Sequence, residues 1–183
     1  ADREVVLAAV REHGGVALRH AAEALKADRE VVLAAVREHG GVALLYAAEA
    51  LKADRVFVLA AVQLNGHALQ FSAEALKADR EVVIAAVQNN GYALAHAADA
   101  LKADRAIVLA AVRQDGEAFR FAASTLQADH EVVLAAVRQN GHALRFAAVW
   151  FQADKWLQLL ARRVSLPARA RAFLKLARDQ ADA

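Results

Sequence analysis

The residues that could do chemistry in this chain are gathered in one segment, DREVVLAAV, which recurs along the sequence. Its copies span residues 2–10, 28–36, 79–87 and 129–137, and each differs from the first by at most one residue. An aspartate and a glutamate beside an arginine could act as general acid and base. A segment that returns at a fixed distance is typical of a repeat unit, however, and its aspartate suits helix capping. The sequence therefore predicts a scaffold segment here, and no enzyme.

Other candidate chemistry is equally sparse. The seven histidines are scattered at about one per repeat, without the HxxxH or HExxH spacing that places two imidazoles on one helix face. The chain has no cysteine, which removes thiolate nucleophiles and thiolate metal ligands. It also has no nucleophile elbow and no glycine-rich phosphate loop. The sequence predicts no catalytic residue, no metal ion and no cofactor.

Charge and hydropathy narrow the class of protein. Lys and Arg number 23 against 21 Asp and Glu, for a formal net charge of +2, which demands neither nucleic acid nor an anionic membrane as a partner. The longest apolar runs have about seven residues, whereas a membrane-spanning helix needs roughly 18 or more. No transmembrane segment and no signal peptide is predicted, and the compartment is left open.

The elements that position these residues form a repeat of 25 or 26 residues. Counted from the alanine before each aspartate, the units begin at Ala1, Ala27, Ala53, Ala78, Ala103 and Ala128. Residues 1–152 are thus predicted to be six repeats, followed by a separate C-terminal region at 153–183. A fixed period in this range indicates a solenoid, in which each repeat packs mainly on its neighbours.

Each unit is predicted to contain two helices. Asp28 suits the N-cap of a first helix containing VVLAAV, which lacks the alternation of a strand. That helix should end at an Asn-Gly pair such as Asn65-Gly66, with glycine in the left-handed conformation. One face of the second helix is predicted to carry Leu69, Ser72, Ala73 and Leu76. The predicted fold is an all-α solenoid of tandem helix-turn-helix repeats with a C-terminal helical cap.

The complete unit reads D-R-E-V-V-L-A-A-V-x-x-N-G-x-A-L-x-F-A-x-x-x-L-K-x-D. This pattern resembles the helical repeat family known as domain of unknown function 4116, over all six units. The first two units depart from it, because Gly14-Gly15 and Gly40-Gly41 bring one extra residue where Asn-Gly is expected. The resemblance implies helical repeats and implies no activity.

Residues that change between repeats are the candidates for a partner surface. They include the residue after the turn glycine and a residue three positions later, which should lie along one edge of the solenoid. The surface predicted on the repeats comprises His67, Tyr92, Glu117, His142, Gln70, Arg120 and Arg145. Solvent-facing positions can also drift without function, and that alternative stays open.

A ring occupies one further position in every repeat. It is filled by His20, Tyr46, Phe71, His96, Phe121 and Phe146. Rings at solenoid spacing could stack a ligand, but packing between repeats is the favoured interpretation.

The C-terminal region differs in charge and in bulk. Residues 1–152 carry 16 Lys and Arg against 18 Asp and Glu, whereas residues 153–183 carry 7 against 3. The candidate surface residues near this end are Trp150, Trp156, Arg162, Arg163, Arg169 and Arg171. The region is predicted to form basic capping helices, because the end of a solenoid needs a polar cover. An amphipathic segment that meets an anionic surface is the alternative.

These observations predict a non-catalytic helical-repeat scaffold or protein-interaction module, as a subunit or fragment of a larger assembly, with a protein as its partner. The alternative is association with a membrane surface or nucleic acid through the basic C-terminal helices. Nucleic acid is disfavoured, since the repeats are slightly acidic and phosphate binding needs Lys and Arg along a groove.

Overall fold

Every regular element of the described chain is helical. The structure is a computed structural model that describes residues 3–166, and within that range it contains no strand. The elements are α1 Arg3–His13, η1 Gly14–His20, α2 Glu23–Lys26, α3 Arg29–His39, η2 Gly41–Tyr46, α4 Glu49–Ala53, α5 Arg55–Leu64, η3 Gly66–Phe71, α6 Glu74–Lys77, α7 Arg80–Asn89, η4 Gly91–His96, α8 Asp99–Lys102, α9 Arg105–Gln114, η5 Gly116–Phe121, α10 Ser124–Gln127, α11 His130–Gln139, η6 Gly141–Phe146, α12 Val149–Gln152 and α13 Lys155–Ser165. Each η is a 3₁₀ helix, so one unit consists of a long α-helix, a 3₁₀ helix and a short α-helix, and the order confirms the predicted all-α solenoid.

The long helix of each repeat begins at an aspartate, as predicted. In α7 the side chain of Asp79 accepts hydrogen bonds from the backbone N–H groups of Glu81 at 2.9 Å and Val82 at 3.1 Å. These bonds satisfy donors that have no partner inside the helix. The apolar residues three, four, seven and eight positions after the aspartate, such as Val82, Val83, Ala86 and Val87, are buried in all inner repeats and form one continuous core. This core stabilises helices too short to persist alone in water.

The turn after the long helix departs from the prediction. Asn65 ends α5 in an extended conformation, and its side chain accepts from the N–H of His67 at 3.0 Å to begin η3. Gly66 does not adopt the left-handed conformation; the one positive φ in residues 3–166 belongs to Gly40, at 76°. Glycine is required at 66 for space, because a Cβ there would lie 2.5 Å from the carbonyl oxygen of Ala86 in the next repeat.

The predicted second helix is in fact two elements. In the third repeat the 3₁₀ helix η3 ends at Phe71, and Ser72 and Ala73 are extended before α6 begins. The break frees the N–H of Ala73, which donates to the carbonyl of Lys52 in the preceding repeat at 2.9 Å. The same bond, also at 2.9 Å, joins Ala48 to Lys26, Ala98 to Lys77, Ala123 to Lys102 and Ala148 to Gln127. A backbone bond between repeats thus replaces one within a helix.

The two faces of each long helix pack on different neighbours. Val5 in α1 is 63% exposed, whereas the residues at its position in later repeats are fully or almost fully buried. Those residues are Val31, Phe57, Val82, Ile107, Val132 and Leu157. In α13, at the other end of the array, Leu157 at this position is buried but the next residue, Gln158, is exposed. Inner helices carry a buried valine at the position of Gln158. The first residue of each pair therefore faces the preceding repeat, and the second faces the following one.

Candidate functional site

One long edge of the solenoid is made by the first turns of the long helices, and we call it the ladder edge. Arg55 donates to the N-cap Asp79 of the next repeat at 2.7 Å and also pairs with Glu81. The same arrangement joins Arg3 to Asp28 and Glu30, Arg29 to Asp54, Arg80 to Asp104, and Arg105 to Asp129 and Glu131. Each arginine therefore bridges two repeats.

The contacts on the ladder edge favour the ionised forms of Asp79 and Arg55. The hydrogen bond from Arg55 lowers the pKa of Asp79, burial opposes this, and the N–H of Val82 lowers it further. The contacts with Asp79 and Glu81 raise the pKa of Arg55. Because these groups are already paired with one another, the ladder edge offers a partner little free charge.

The opposite edge is made by the ends of the long helices and by the 3₁₀ helices, and we call it the turn edge. It carries all seven of the candidate surface residues predicted on the repeats. His67, His142, Gln70, Arg120 and Arg145 are exposed there, and Tyr92 and Glu117 are half-buried. Each 3₁₀ helix from η2 to η6 thus has buried positions with fixed residue types, namely a glycine, an alanine and a leucine or phenylalanine. The more exposed positions next to them carry residues that change from repeat to repeat.

Successive repeats touch one another along the turn edge. Tyr92 meets Phe121 of the next repeat edge to face, with ring centroids 5.8 Å apart. Glu117 accepts from Arg145 of the next repeat at 2.8 Å. Burial lowers the pKa of His96, and the proximity of His67 in the preceding repeat contributes to that shift. The ring position is therefore used in packing between repeats.

A cleft opens where such a contact is missing. Between the second and third repeats a cavity of about 300 Å³ is lined by His39, Gly40, Gly41, Val42, Asn65, His67, Gln70 and Phe71. Val42 stands where Tyr92 stands in the fourth repeat, and Phe71 lies in the cleft wall opposite a residue with no ring. The extra glycine of the second repeat, Gly40, lies in the wall of the cleft.

Sequence reasoning missed a structural role at the ends of the long helices. Asn89 accepts from the N–H of Gly66 at 2.8 Å and donates to the carbonyl of Gln63 at 3.0 Å, both in the preceding repeat. Gln139 accepts from Gly116 in the same way at 2.8 Å. The sequence feature that could have indicated this role is an amide side chain at the end of the helix that follows a turn glycine by one repeat. It was missed because other repeats carry different residues at this position.

The C-terminal candidates do not form one site. Trp150 on α12 is 65% exposed and contacts Phe151, while Trp156 on α13 is 55% exposed and lines a shallow cleft with Leu159, Leu160 and Arg163. Arg162 is exposed and lines a different cleft with Arg145. Arg169 and Arg171 lie outside the described residues. The last described elements thus leave bulky apolar and cationic side chains exposed.

Among residues 3–166 there is no group of three or more His, Asp or Glu side chains placed to hold a metal ion. No helix within that part is long and apolar enough to cross a membrane.

Comparison with known proteins gives the family. No curated protein and no solved structure matches the chain. A family model, described as a domain of unknown function (DUF4116), matches it in five overlapping copies at residues 2–52, 38–77, 54–102, 79–127 and 104–152. Together the five copies extend from residue 2 to residue 152, which is most of the sequence, and they follow the repeats of the fold. The chain therefore belongs to the family of tandem helical repeats described as domain of unknown function DUF4116.

Proposed function

We propose that this protein is a non-catalytic scaffold that binds a protein partner along its turn edge, as a subunit of a larger assembly. The observation that carries the proposal is the difference in pairing between the edges. The ladder edge repeats one ion-paired arrangement, whereas the turn edge displays side chains that vary between repeats on the recurring 3₁₀ helix. Helical solenoids characteristically use such extended surfaces for recognition.

The cleft between the second and third repeats supports a protein as the partner. Its wall combines the apolar side chains of Val42 and Phe71 with the polar side chains of His67 and Gln70. An apolar hollow with a polar rim suits the anchor residue of a protein interface. A nucleic acid would need a cationic groove, and no Lys or Arg is among the residues that line this cleft.

Site-specific photo-crosslinking in the native source tests the proposal. A photoreactive amino acid is placed at Gln70 on the turn edge and, as the matched control, at Arg80 on the ladder edge, which are both exposed. We expect one discrete protein adduct from position 70 and none from position 80. Equal adducts from both edges, or none from position 70 under conditions where the chain is intact, would overturn it.

A second candidate is binding to a membrane surface through the C-terminal end. Trp156 and Leu159 lie beside Arg163, and Trp150 and Arg162 are exposed elsewhere at this end, a composition typical of side chains that sit at a lipid interface. The chain has two tryptophans, and both lie here, so tryptophan fluorescence excited selectively over the tyrosines reports on this region alone. A blue shift with vesicles of phosphatidylglycerol and phosphatidylcholine is expected if this function is right. An unchanged spectrum together with no co-sedimentation would exclude it.

A further inference from the structure

Charge is distributed unevenly along the turn edge. In repeats one and two each helix end carries an arginine followed by an acid, as Arg11-Glu12 and Arg37-Glu38. In repeats five and six the acid is replaced by glutamine, as Arg113-Gln114 and Arg138-Gln139. We name as the arginine stripe the set Arg113, Arg120, Arg138, Arg145, Arg162 and Arg163. All six are exposed, so this end of the turn edge is cationic.

Most of these cations are free of ion pairs. Within residues 3–166, Arg145 is the one member of the stripe that forms a salt bridge, with Glu117. The remaining carboxylate in this region, Asp115, accepts from the backbone N–H of Glu117 as the cap of η5. The stripe thus differs from the ladder edge, where every arginine that begins a long helix from α1 to α9 is paired with an acid.

Two members of the stripe are held in place by aromatic rings. The guanidinium of Arg120 lies 4.8 Å from the ring centroid of Phe121, and that of Arg145 lies 4.5 Å from the ring centroid of Phe146. A cation over a ring face gains electrostatic attraction and keeps its N–H groups available at the ring edge. These arginines are therefore partly ordered before a ligand arrives, which reduces the entropy lost on binding.

The stripe leads into a cleft beside α13. A cavity of about 340 Å³ is lined by Gly141, His142, Leu144, Arg145, Gln152, Gln158, Ala161 and Arg162. Arg145 and Arg162 bring two guanidinium groups to it, and Leu144 and Ala161 give it an apolar part. Such a lining matches a carboxylate side chain that is adjacent to an apolar one, since arginine pairs with carboxylates through two parallel hydrogen bonds.

We propose that the arginine stripe binds an acidic segment of a protein partner, with one carboxylate in the cleft between Arg145 and Arg162. The proposal rests on the proposed function and names the chemistry of the partner. A protein segment fits better than nucleic acid, because the stripe is interrupted by Glu117 and covers one end of a slightly acidic array. Continuous phosphate contacts need an uninterrupted groove.

Binding of a fluorescein-labelled peptide of eight glutamates to the full chain, followed by fluorescence anisotropy, tests the inference. The test variant is Arg113→Gln/Arg120→Gln/Arg138→Gln. The control is Arg11→Gln/Arg19→Gln/Arg37→Gln, which removes the same residues at the same repeat positions from the other end. Exposed ion pairs change affinity by about two- to five-fold each, so the test variant should bind about ten-fold or more weakly and the control within about two-fold of the unchanged chain.

A second variant tests the cleft. Arg162→Gln should weaken binding by about three-fold, and Arg162→Lys should restore only part of the loss, because lysine keeps the charge but cannot make the two parallel hydrogen bonds of a guanidinium. Circular dichroism confirms that each variant remains folded, and raising the salt from 50 to 300 mM should weaken binding to the unchanged chain.

Several outcomes would overturn the inference. These are no binding of the glutamate peptide, equal losses in the test variant and the control, or tighter binding of an eight-residue oligothymidylate or of anionic vesicles than of the peptide. The photo-crosslink at Gln70 is scored separately. A partner that crosslinks there yet binds independently of the stripe arginines contradicts this inference and leaves the proposed function standing. Peptide binding to the stripe without any crosslinked partner contradicts the proposed function.

Discussion

The ladder edge and the turn edge are built from the same repeat, yet they treat charge in opposite ways. On the ladder edge an arginine such as Arg55 is neutralised by the acids of the next repeat, Asp79 and Glu81. On the turn edge Arg113, Arg120 and Arg138 form no salt bridge with any acid among residues 3–166. The difference indicates that arginines join repeats on the ladder edge, whereas the last repeats of the turn edge keep unpaired arginines at the surface.

The turn edge also contains fixed residues, and these separate its structural part from its variable part. Gly91 is buried, while the next residue, Tyr92, is half-buried and differs between repeats. The glycine lies under the following repeat and the side chain after it lies at the surface. Substitutions at neighbouring positions should therefore have very different consequences.

The largest expected effect comes from adding one methyl group to this fixed part. In Gly91→Ala the new Cβ would lie 2.6 Å from the carbonyl oxygen of Ala111, a backbone atom that can retreat only if the next repeat shifts. Overpacking of this kind costs about 1–3 kcal/mol, and we expect urea denaturation to show a loss of that size. The control Gln88→Ala, at an exposed helix end, should change stability by less than about 0.5 kcal/mol. An unchanged midpoint for Gly91→Ala would contradict the close packing of the turn.

The next effect separates capping from ion pairing on the ladder edge. Asp79→Ala removes the acceptor for two backbone N–H groups and the partner of Arg55, and loss of an N-cap alone costs about 0.5–2 kcal/mol. Asp79→Asn keeps a good cap and removes the charge, so its loss of unfolding free energy should be the smaller one. Equal losses in the two variants would show that the cap contributes nothing.

A dependence on pH follows from the same carboxylates. The pKa of Asp79 is lowered first by Arg55, and that of Asp129 first by the N–H of Val132. A carboxyl whose pKa is lower in the folded chain stabilises the fold above its unfolded pKa of about 3.9. That contribution is lost as the pH falls through the folded value, so urea midpoints should decrease from pH 5 towards pH 2. Arg55→Gln should lose less over this range, because the pKa of Asp79 returns towards its ordinary value.

The structure of the ladder edge could be predicted from the sequence more fully than that of the turn edge. The reason is that the interactions on the ladder edge include local ones, whereas those missed on the turn edge join residues of different repeats. The N-cap role of Asp79 is local, acting on residues two and three positions ahead, and the recurring aspartate makes it visible. The break at Ser72 and Ala73 depends on a carbonyl in the preceding repeat, that of Lys52. Helical periodicity alone therefore predicted a continuous helix there.

The candidate surface shows the same division. Its placement on one edge could be predicted, because a residue at a given repeat position returns to the same side of every unit. Which positions touch could not, since the contact between Tyr92 and Phe121 joins residues 29 apart in sequence. The cleft beside Val42 is visible only once that contact is known to be missing there.

The smallest expected effect on stability is at the exposed variable positions. His67→Ala and Gln70→Ala remove side chains that lie on the surface of the turn edge, and such changes usually stay within about 0.5 kcal/mol. If the turn edge binds the partner, these variants should instead reduce the yield of a crosslink placed at Tyr92. Arg80→Gln on the ladder edge is the control, because it removes a salt bridge to Asp104 of the next repeat. This variant should leave the yield of the crosslink at Tyr92 unchanged. A stability loss for Gln70→Ala as large as that for Asp79→Ala would show that the two edges share one structural role, since the exposed side chain would then be holding repeats together.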